Sequence, residues 1–442
     1  MIWLRATAIL LSSFLILPVQ AQSRLAARTP GAAFGMDSGL GIGAGMGMGL
    51  DLGPGLDHVQ QVLDTRGSRA LNGVDQGTVR DLMSRRASEA RKLLREHGDV
   101  LEADPQGNPV VRHEILATFP NAVALSRALA LGFEISRDRV IPGVGMHVVA
   151  LSVPPHWSLE ESLRVLRESV PAGTYDYDQI YFRAGSRVDS GAPPVPATDR
   201  ATTASARSLP KLGLIDTGID TANPAFRHSI LHAWGCGGAA APGPHGTEVA
   251  SLLVRNAPAE LYSADVYCGA PTGGSAGTVI AAFAWMARER VPVINVSLVG
   301  PKNLLLAQVV SALIANGFVI VAAVGNDGPA APPLYPAAYP NVIGVTAVDD
   351  HRHVLLEAER GPQVTFAALG ADVEAAGLRG RTAEVRGTSF AAPVVAALFA
   401  VQMRVPDPRS AAAARTALIA RAIDLGARGW DPVYGYGLLG AK

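Results

Sequence analysis

The sequence predicts an α/β protein in which a doubly wound, mostly parallel sheet is preceded by a small α+β unit. Apolar strand-like runs at Leu212–Asp216, Leu261–Tyr267, Pro292–Ser297, Val319–Val324 and Val342–Val348 alternate with helix-like segments at about 246–255, 278–290, 303–315 and 389–403. Such alternation builds a parallel sheet covered by helices on both faces. The smaller unit rests on the order of elements in residues 109–183. Val110 to Phe119 reads as a strand, Ala122 to Leu131 as a helix, and Glu134 to Val140 and Met146 to Val153 as two strands. Ser158-Leu159-Glu160-Glu161 is a capping box that opens a helix to about Ser169, and Tyr175 to Arg183 closes the unit as a strand.

That β-α-β-β-α-β order is the split pattern of a ferredoxin-like sandwich. Upstream, Ala8 to Val19 is a short apolar run behind Arg5 that ends in Val19-Gln20-Ala21, so residues 1–21 are expected to be a secretory signal peptide. No later stretch approaches the roughly 20 uninterrupted apolar residues of a membrane span, and no membrane anchor is expected. Residues 22–75 read as a flexible leader, with glycine at every odd position from 39 to 49. This alternation cannot satisfy Gly-x-Gly-x-x-Gly, which excludes a dinucleotide cradle there. Met36, Met46 and Met48, without His or Cys nearby, read as apolar filler and not as soft-metal ligands.

Within residues 76–108 the pattern from Thr78 to His97 is helical, with Leu82, Met83, Ala90, Leu93 and Leu94 on one side and Gly98 as the stop. Arg80, Arg85, Arg86, Arg91, Lys92 and Arg95 interleave with Asp81, Glu89 and Glu96, which predicts a solvated face and not a nucleic-acid contact. The whole chain agrees, since its 442 residues carry 38 basic and 38 acidic side chains, and no global charge draws it to nucleic acid or anionic lipid. Ala184 to Ser208 is rich in Ala, Ser, Thr and Pro and is expected to be an exposed linker. Residues 209–442 are ample for one core. The two cysteines, Cys236 and Cys268, lie there; an even pair in an exported protein points to a disulfide, with two buried thiols as the alternative.

Three segments carry chemistry. In Arg-Gly-Thr-Ser-Phe-Ala-Ala-Pro, residues 386–393, a small-residue turn delivers Ser389 to the mouth of an apolar helix, where free backbone N–H groups can stabilise an oxyanion. Leu212 to Asp220 is a strand that breaks into a Gly turn after Asp216, and open α/β sheets keep their sites at such strand ends. In Pro-His-Gly-Thr-Glu-Val-Ala, residues 244–250, Gly246 removes bulk beside His245, a general-base candidate at a helix start. Each residue alone is usually a cap or a satisfied core group. Serine is a poor nucleophile without a base to take its proton and a carboxylate to orient that base, and this order supplies both.

On Asp-Thr-Gly at 216–218, His-Gly-Thr-Glu-Val-Ala at 245–250 and Gly-Thr-Ser-Phe-Ala-Ala-Pro at 387–393, the chain resembles the subtilisin-like serine proteases from about Lys211 to Leu439. The resemblance implies an Asp216, His245, Ser389 triad. A fourth match, Val319 to Gly328, implies that the Asn326 amide shares the oxyanion with the Ser389 N–H. It also lays the first specificity pocket along Ser297, Leu298, Val299 and Gly300, with Ala323 and Gly325 before the asparagine and Leu334 at the floor. Val299 and Leu334 stand where the family carries or often carries glycine, which predicts a small pocket and a preference for residues such as Ala before the scissile bond. The unit at 109–183 is similar in position and topology to the subtilase propeptide, which inhibits the enzyme and helps it fold.

The resulting expectation is an exported serine endopeptidase made as a zymogen. It would be secreted or periplasmic, with polypeptides and its own N-terminal domain as partners, no nucleic-acid partner and no cofactor. No metal site is assigned, and whether calcium binds is not written in these residues. A catalytically silent binding protein on the same fold is the alternative. A second is an esterase built on Gly273-Gly274-Ser275-Ala276-Gly277, with Asp349 or Asp350 and His351 or His353 downstream. Against the esterase, several loop residues separate Ser275 from the preceding strand, whereas a nucleophile elbow needs its serine on the sharp turn itself.

Overall fold

The computed structural model describes residues 76–188, 209–239 and 241–440. All of these fall in one compact unit, Gly53–Lys442. The expected signal peptide, the glycine-alternating leader with its methionines, and residues 189–208 of the expected linker lie outside the described residues.

Helix α1 (Gln76–Glu96) leads into β1 (Leu101–Ala103), β2 (Pro109–Thr118), α2 (Ala122–Ala130), β3 (Glu134–Ile141), β4 (Met146–Ser152), α3 (Leu159–Ser169) and β5 (Thr174–Gln179). The strands form an antiparallel sheet in the order β1-β2-β4-β3, with β5 also on β2. Helices α2 and α3 each start on a side chain that accepts an otherwise unpaired amide: Ala124 N–H donates to Asn121 Oδ1 at 3.0 Å and Glu161 N–H to Ser158 Oγ at 3.1 Å. One face of the sheet buries Ile115, Leu151 and Tyr175 against Leu163 and Leu166 of α3.

Two boundaries differ from the sequence reading. Leu101–Ala103 adds a strand ahead of residue 109, and the run expected as one strand over Tyr175–Arg183 divides after Gln179. The division has a physical cause, because the second half finds another partner. Residues Phe182–Arg183 form β6 and Ser186–Val188 form β7, and both pair with the larger domain. The start of the expected exposed linker is therefore ordered, and Ala184 is buried.

The larger domain comprises β8 (Lys211–Asp216), β9 (Ile230–Trp234), α4 (Pro244–Leu253), β10 (Glu260–Asp265), α5 (Ala276–Arg288), β11 (Val293–Val296), β12 (Leu298–Val299) and α6 (Leu304–Ala315). It continues with β13 (Val319–Ala323), β14 (Ile343–Val348), β15 (Val364–Leu369), β16 (Val373–Ala376), β17 (Thr382–Arg386), α7 (Thr388–Ala400) and α8 (Pro408–Arg421). Seven strands run in the order β15-β14-β13-β11-β8-β10-β9, every pairing parallel. Successive side chains point to opposite faces, so Leu212, Leu214, Val319 and Val321 bury against α4 and α7 while Ile215, Ile320 and Ala322 bury against α5 and α6. This is the doubly wound sheet the alternation predicts. The chain leaves β8 for β9 and β10 on one side and then crosses past it to β11 on the other, and this reversal opens a crevice at the carboxyl end of β8, beside Asp216.

The two sheets meet across α5 and α6. Leu116, Val148 and Ala150 from the outer face of the small sheet join the core that holds Val279, Phe283 and Val309. Two carboxylates seat the contact: Gly277 N–H donates to Asp178 Oδ1 and Leu304 N–H to Asp176 Oδ2, both at 2.7 Å, which places negative charge on the amino-terminal ends of α5 and α6. Helix α8 has no counterpart in the sequence reading because its Ala-rich run carries no wide apolar stripe; only Ala414 and Leu418 are buried.

Candidate active site

Asp216 ends β8, His245 is the second residue of α4 and Ser389 the second residue of α7. The parallel sheet brings all of these ends to one edge. His245 Nδ1 lies 2.8 and 2.9 Å from the two Asp216 oxygens, and its Nε2 lies 3.1 Å from Ser389 Oγ. The Thr217 N–H also donates to Asp216 Oδ1 at 2.6 Å, so the carboxylate is held from two sides. Burial pushes the imidazole pKa down, but the adjacent Asp216 charge and its hydrogen bond outweigh this, and the His245 pKa lies above its ordinary value. The arrangement lets the ring take a proton from Ser389 and hold it as a cation facing Asp216.

Gly387 caps α7 with φ of +135°, a conformation that L side chains rarely adopt, and so turns the chain sharply into the helix. Asn326 follows β13, and its Oδ1 accepts the Thr388 N–H at 3.0 Å. That bond orients the amide, whose Nδ2 is buried and has no partner among the described residues. A buried donor without an acceptor is costly unless an acceptor arrives during function.

Residues Tyr181 to Val188 cross this edge in extended form. Phe182–Arg183 pairs antiparallel with Val299–Leu298, the Ala184 N–H donates to Ser297 O at 3.3 Å, and Ser186–Val188 pairs antiparallel with β17. Ala184 packs with Val299, Ala323 and Leu334. A Cβ at Gly185 would stand 2.5 Å from Ser389 Oγ, so only glycine fits beside the hydroxyl. The Tyr267 hydroxyl donates to Tyr181 O at 2.8 Å, and the Arg183 guanidinium lies 5.8 Å from the Tyr267 ring centroid. Tyr181 is fully buried, donates to Pro301 O at 2.9 Å, and its ring fills the space where a Cβ at Gly300 would stand.

Sequence reasoning missed two residues around the pocket. Gly325 faces the carboxyl of Glu359, which is fully buried and whose Oε2 accepts the Leu334 N–H at 3.3 Å. Burial, and then the charge of Asp327, raise the Glu359 pKa well above the ordinary value. Arg86, expected on a solvated face, forms an ion pair with Asp327. Nothing local in either sequence segment signals these contacts, which join elements far apart in the chain.

Cys236 and Cys268 are joined by a disulfide, with Cα atoms 5.2 Å apart, that ties the loop before α4 to the end of β10. Among the described residues Cys236, Asp265 and Cys268 are the one grouping of metal-type ligands, and both sulfurs are bonded to each other. Ser275 does not sit on an elbow. It caps α5, accepting the Thr278 N–H at 3.3 Å, while His351 lies 3.6 Å from Asp350 and His353 lies 3.5 Å from Asp349 in an exposed turn.

Residues 208–437 match the profile of the subtilase family, peptidase S8. Subtilisin Savinase from Lederbergia lenta is 31% identical over 251 residues, covering 52% of this chain and 89% of that protein. The minor extracellular protease Epr from Bacillus subtilis (strain 168) is 31% identical over 170 residues, which are 38% of this chain and only 26% of that protein. The crystal structure of fervidolysin from Fervidobacterium pennivorans, a keratinolytic enzyme related to subtilisin, superposes with a TM-score of 0.59 at 17% identity, covering 75% of this chain and 60% of that one. This last likeness speaks for the fold.

Proposed function

The chain belongs to the subtilase family of serine endopeptidases, and we propose that it is an exported zymogen whose first substrate is its own Ala184–Gly185 bond. One observation carries this reading: Ala184 occupies the pocket formed by Val299, Ala323 and Leu334 while Gly185 lies against the Ser389 hydroxyl. Strand pairing on both sides of that bond holds it as a protease holds a substrate.

In this reading Ser389 Oγ attacks the Ala184 carbonyl carbon as His245 Nε2 takes its proton. Asp216 accepts from Nδ1–H and stabilises the imidazolium. The Asn326 Nδ2–H and the Ser389 N–H donate to the oxyanion, and losing one such donor typically lowers the rate by about 100 to 1000-fold. The imidazolium then gives its proton to the Gly185 nitrogen, which leaves as an amine. Water, deprotonated by His245, hydrolyses the Ser389 ester and frees the Ala184 carboxylate. Residues 76–184 would then act as a propeptide-type inhibitor until they dissociate. Export is supported by the apolar amino-terminal run and by a relative named as extracellular.

The test is self-processing. Wild-type protein should shorten with Gly185 as the new amino terminus and label at Ser389 with a fluorophosphonate, whereas Ser389→Ala should stay full length. Both proteins remaining intact under active conditions, or both being cut alike, would overturn the proposal.

A further inference from the structure

Arg86 reaches from α1, outside the ferredoxin-like sheet, to the residue that follows Asn326. Its Nε donates to Asp327 Oδ2 and its Nη2 to Asp327 Oδ1 at 3.5 Å, with both side chains about one-fifth exposed. The same guanidinium lies 5.8 Å from the centroid of the Phe182 ring. Further along α1, Leu93 and Leu94 pack in one cluster with Ile180 and Phe182. The helix thus touches the unprimed half of the cleavage segment on one side and the oxyanion loop on the other. Strand β6 itself offers only two residues of pairing to the cleft.

We propose that α1 is a strap, locked by the Arg86–Asp327 ion pair, that keeps Phe182-Arg183-Ala184 in the cleft after the Ala184–Gly185 bond is cut. The idea rests on the self-processing reading for its role, but the contact itself exists in the uncut chain. The β6 pairing, the Ala184 N–H bond to Ser297 and the buried Tyr181 also hold this segment, and the strap adds to them. A two-point guanidinium–carboxylate bond, partly shielded from water and backed by an apolar cluster, slows the departure of the cut segment, and ions in solution weaken it. Release of the active enzyme then depends on ionic strength.

The experiment uses the full chain in two backgrounds. In the uncut Ser389→Ala protein, hydrogen exchange of the amides in α1 and in residues 180–184 is compared with and without Arg86→Gln, at low and high sodium chloride. Loss of a charge-assisted pair should speed exchange about tenfold at low salt. Salt should speed exchange in the protein that keeps Arg86 towards the rate of the Arg86→Gln variant, and should change the variant little. A charge exchange, Arg86→Glu with Asp327→Lys, should restore slow exchange. In the self-cut protein, Arg86→Gln should shorten the lag before full activity on a short peptide by a similar factor. Equal exchange and equal salt response with and without Arg86→Gln would overturn the strap. If wild type never cuts itself, the processing reading fails and the exchange comparison still decides whether the strap exists.

Discussion

Pro393 stands one helical turn beyond Ser389 in α7, so the amide that would ordinarily bond to the Ser389 carbonyl is missing, and the Ser297 hydroxyl donates to that carbonyl instead at 3.1 Å. Asn295 Nδ2 donates in turn to Ser297 Oγ at 2.8 Å. Helix α7 and the residue just before β12 are thereby fixed to one another through a bond that a regular helix would have kept to itself.

Ser297→Ala should leave that buried carbonyl unsatisfied, at a cost of about 1–3 kcal/mol. The expected result is a lower melting temperature and roughly tenfold lower kcat/KM on peptides. Adding Pro393→Ala returns an amide to the helix and should recover part of the lost stability. A double variant that melts no higher than Ser297→Ala alone would contradict this account.

The pocket that receives Ala184 is closed by Val299 and Leu334. Forcing a larger side chain into a fitted cavity costs on the order of 1–3 kcal/mol, so Ala184→Phe should slow self-cleavage by about 10 to 100-fold. Val299→Gly should restore much of that rate and widen the preference of the mature enzyme towards large residues. Peptide-library profiling that finds wild type already selecting Phe would show that these residues do not form the limiting wall.

In the proposed mechanism the raised His245 pKa sets the acid limb of activity. His245 must be neutral to take the Ser389 proton, so kcat/KM should be full at alkaline pH and fall as pH drops through a value above the ordinary imidazole pKa of about 6.5. Asp216→Asn removes the charge that raises it and should lower kcat by about 10⁴. A wild-type acid limb lying below the ordinary imidazole value would conflict with the buried Asp216–His245 contact.

The disulfide closes a loop with a sequence separation of 32 residues. In the chain-entropy treatment such a closure contributes about 3–4 kcal/mol. Denaturant unfolding of Ser389→Ala with and without Cys236→Ser and Cys268→Ser measures it, and an unchanged midpoint would refute a stabilising role.

Glu114 shares Arg137 with Asp178, beside the amide end of α5. Burial, then the hydrogen bond and charge of Asp178, push the Glu114 carboxyl up to about 8. The folded protein therefore holds a proton that a solvated carboxyl would release, and by linkage this contribution to stability is lost as pH rises from the ordinary carboxyl range to about 8 and levels off beyond it. Glu114→Gln should flatten that dependence. Denaturant unfolding of the Ser389→Ala protein across this range, with and without Glu114→Gln, checks the direction; an advantage of the Glu114 protein that grows towards alkaline pH would exclude it.

The alternation of apolar strands with helices and the Gly-flanked Asp216, His245, Ser389 and Asn326 segments were legible in the chain, because strand ends and helix starts are set by local patterns and a parallel sheet brings such ends to one edge. The split-sandwich order was readable for the same reason, but the end of its last strand was not, since the chain stays extended past Gln179 and only its pairing partner changes. Ser297 reaching the Ser389 carbonyl, Glu359 beneath Gly325 and Arg86 on Asp327 join residues far apart in sequence, and no period or propensity marks them. The order of amino acids thus specifies which residues can carry the chemistry and on which edges they stand. That Ala184 and Gly185 lie across them is settled by folding in three dimensions, because strand pairing is specified by the backbone groups of both partners and becomes definite when the two domains pack.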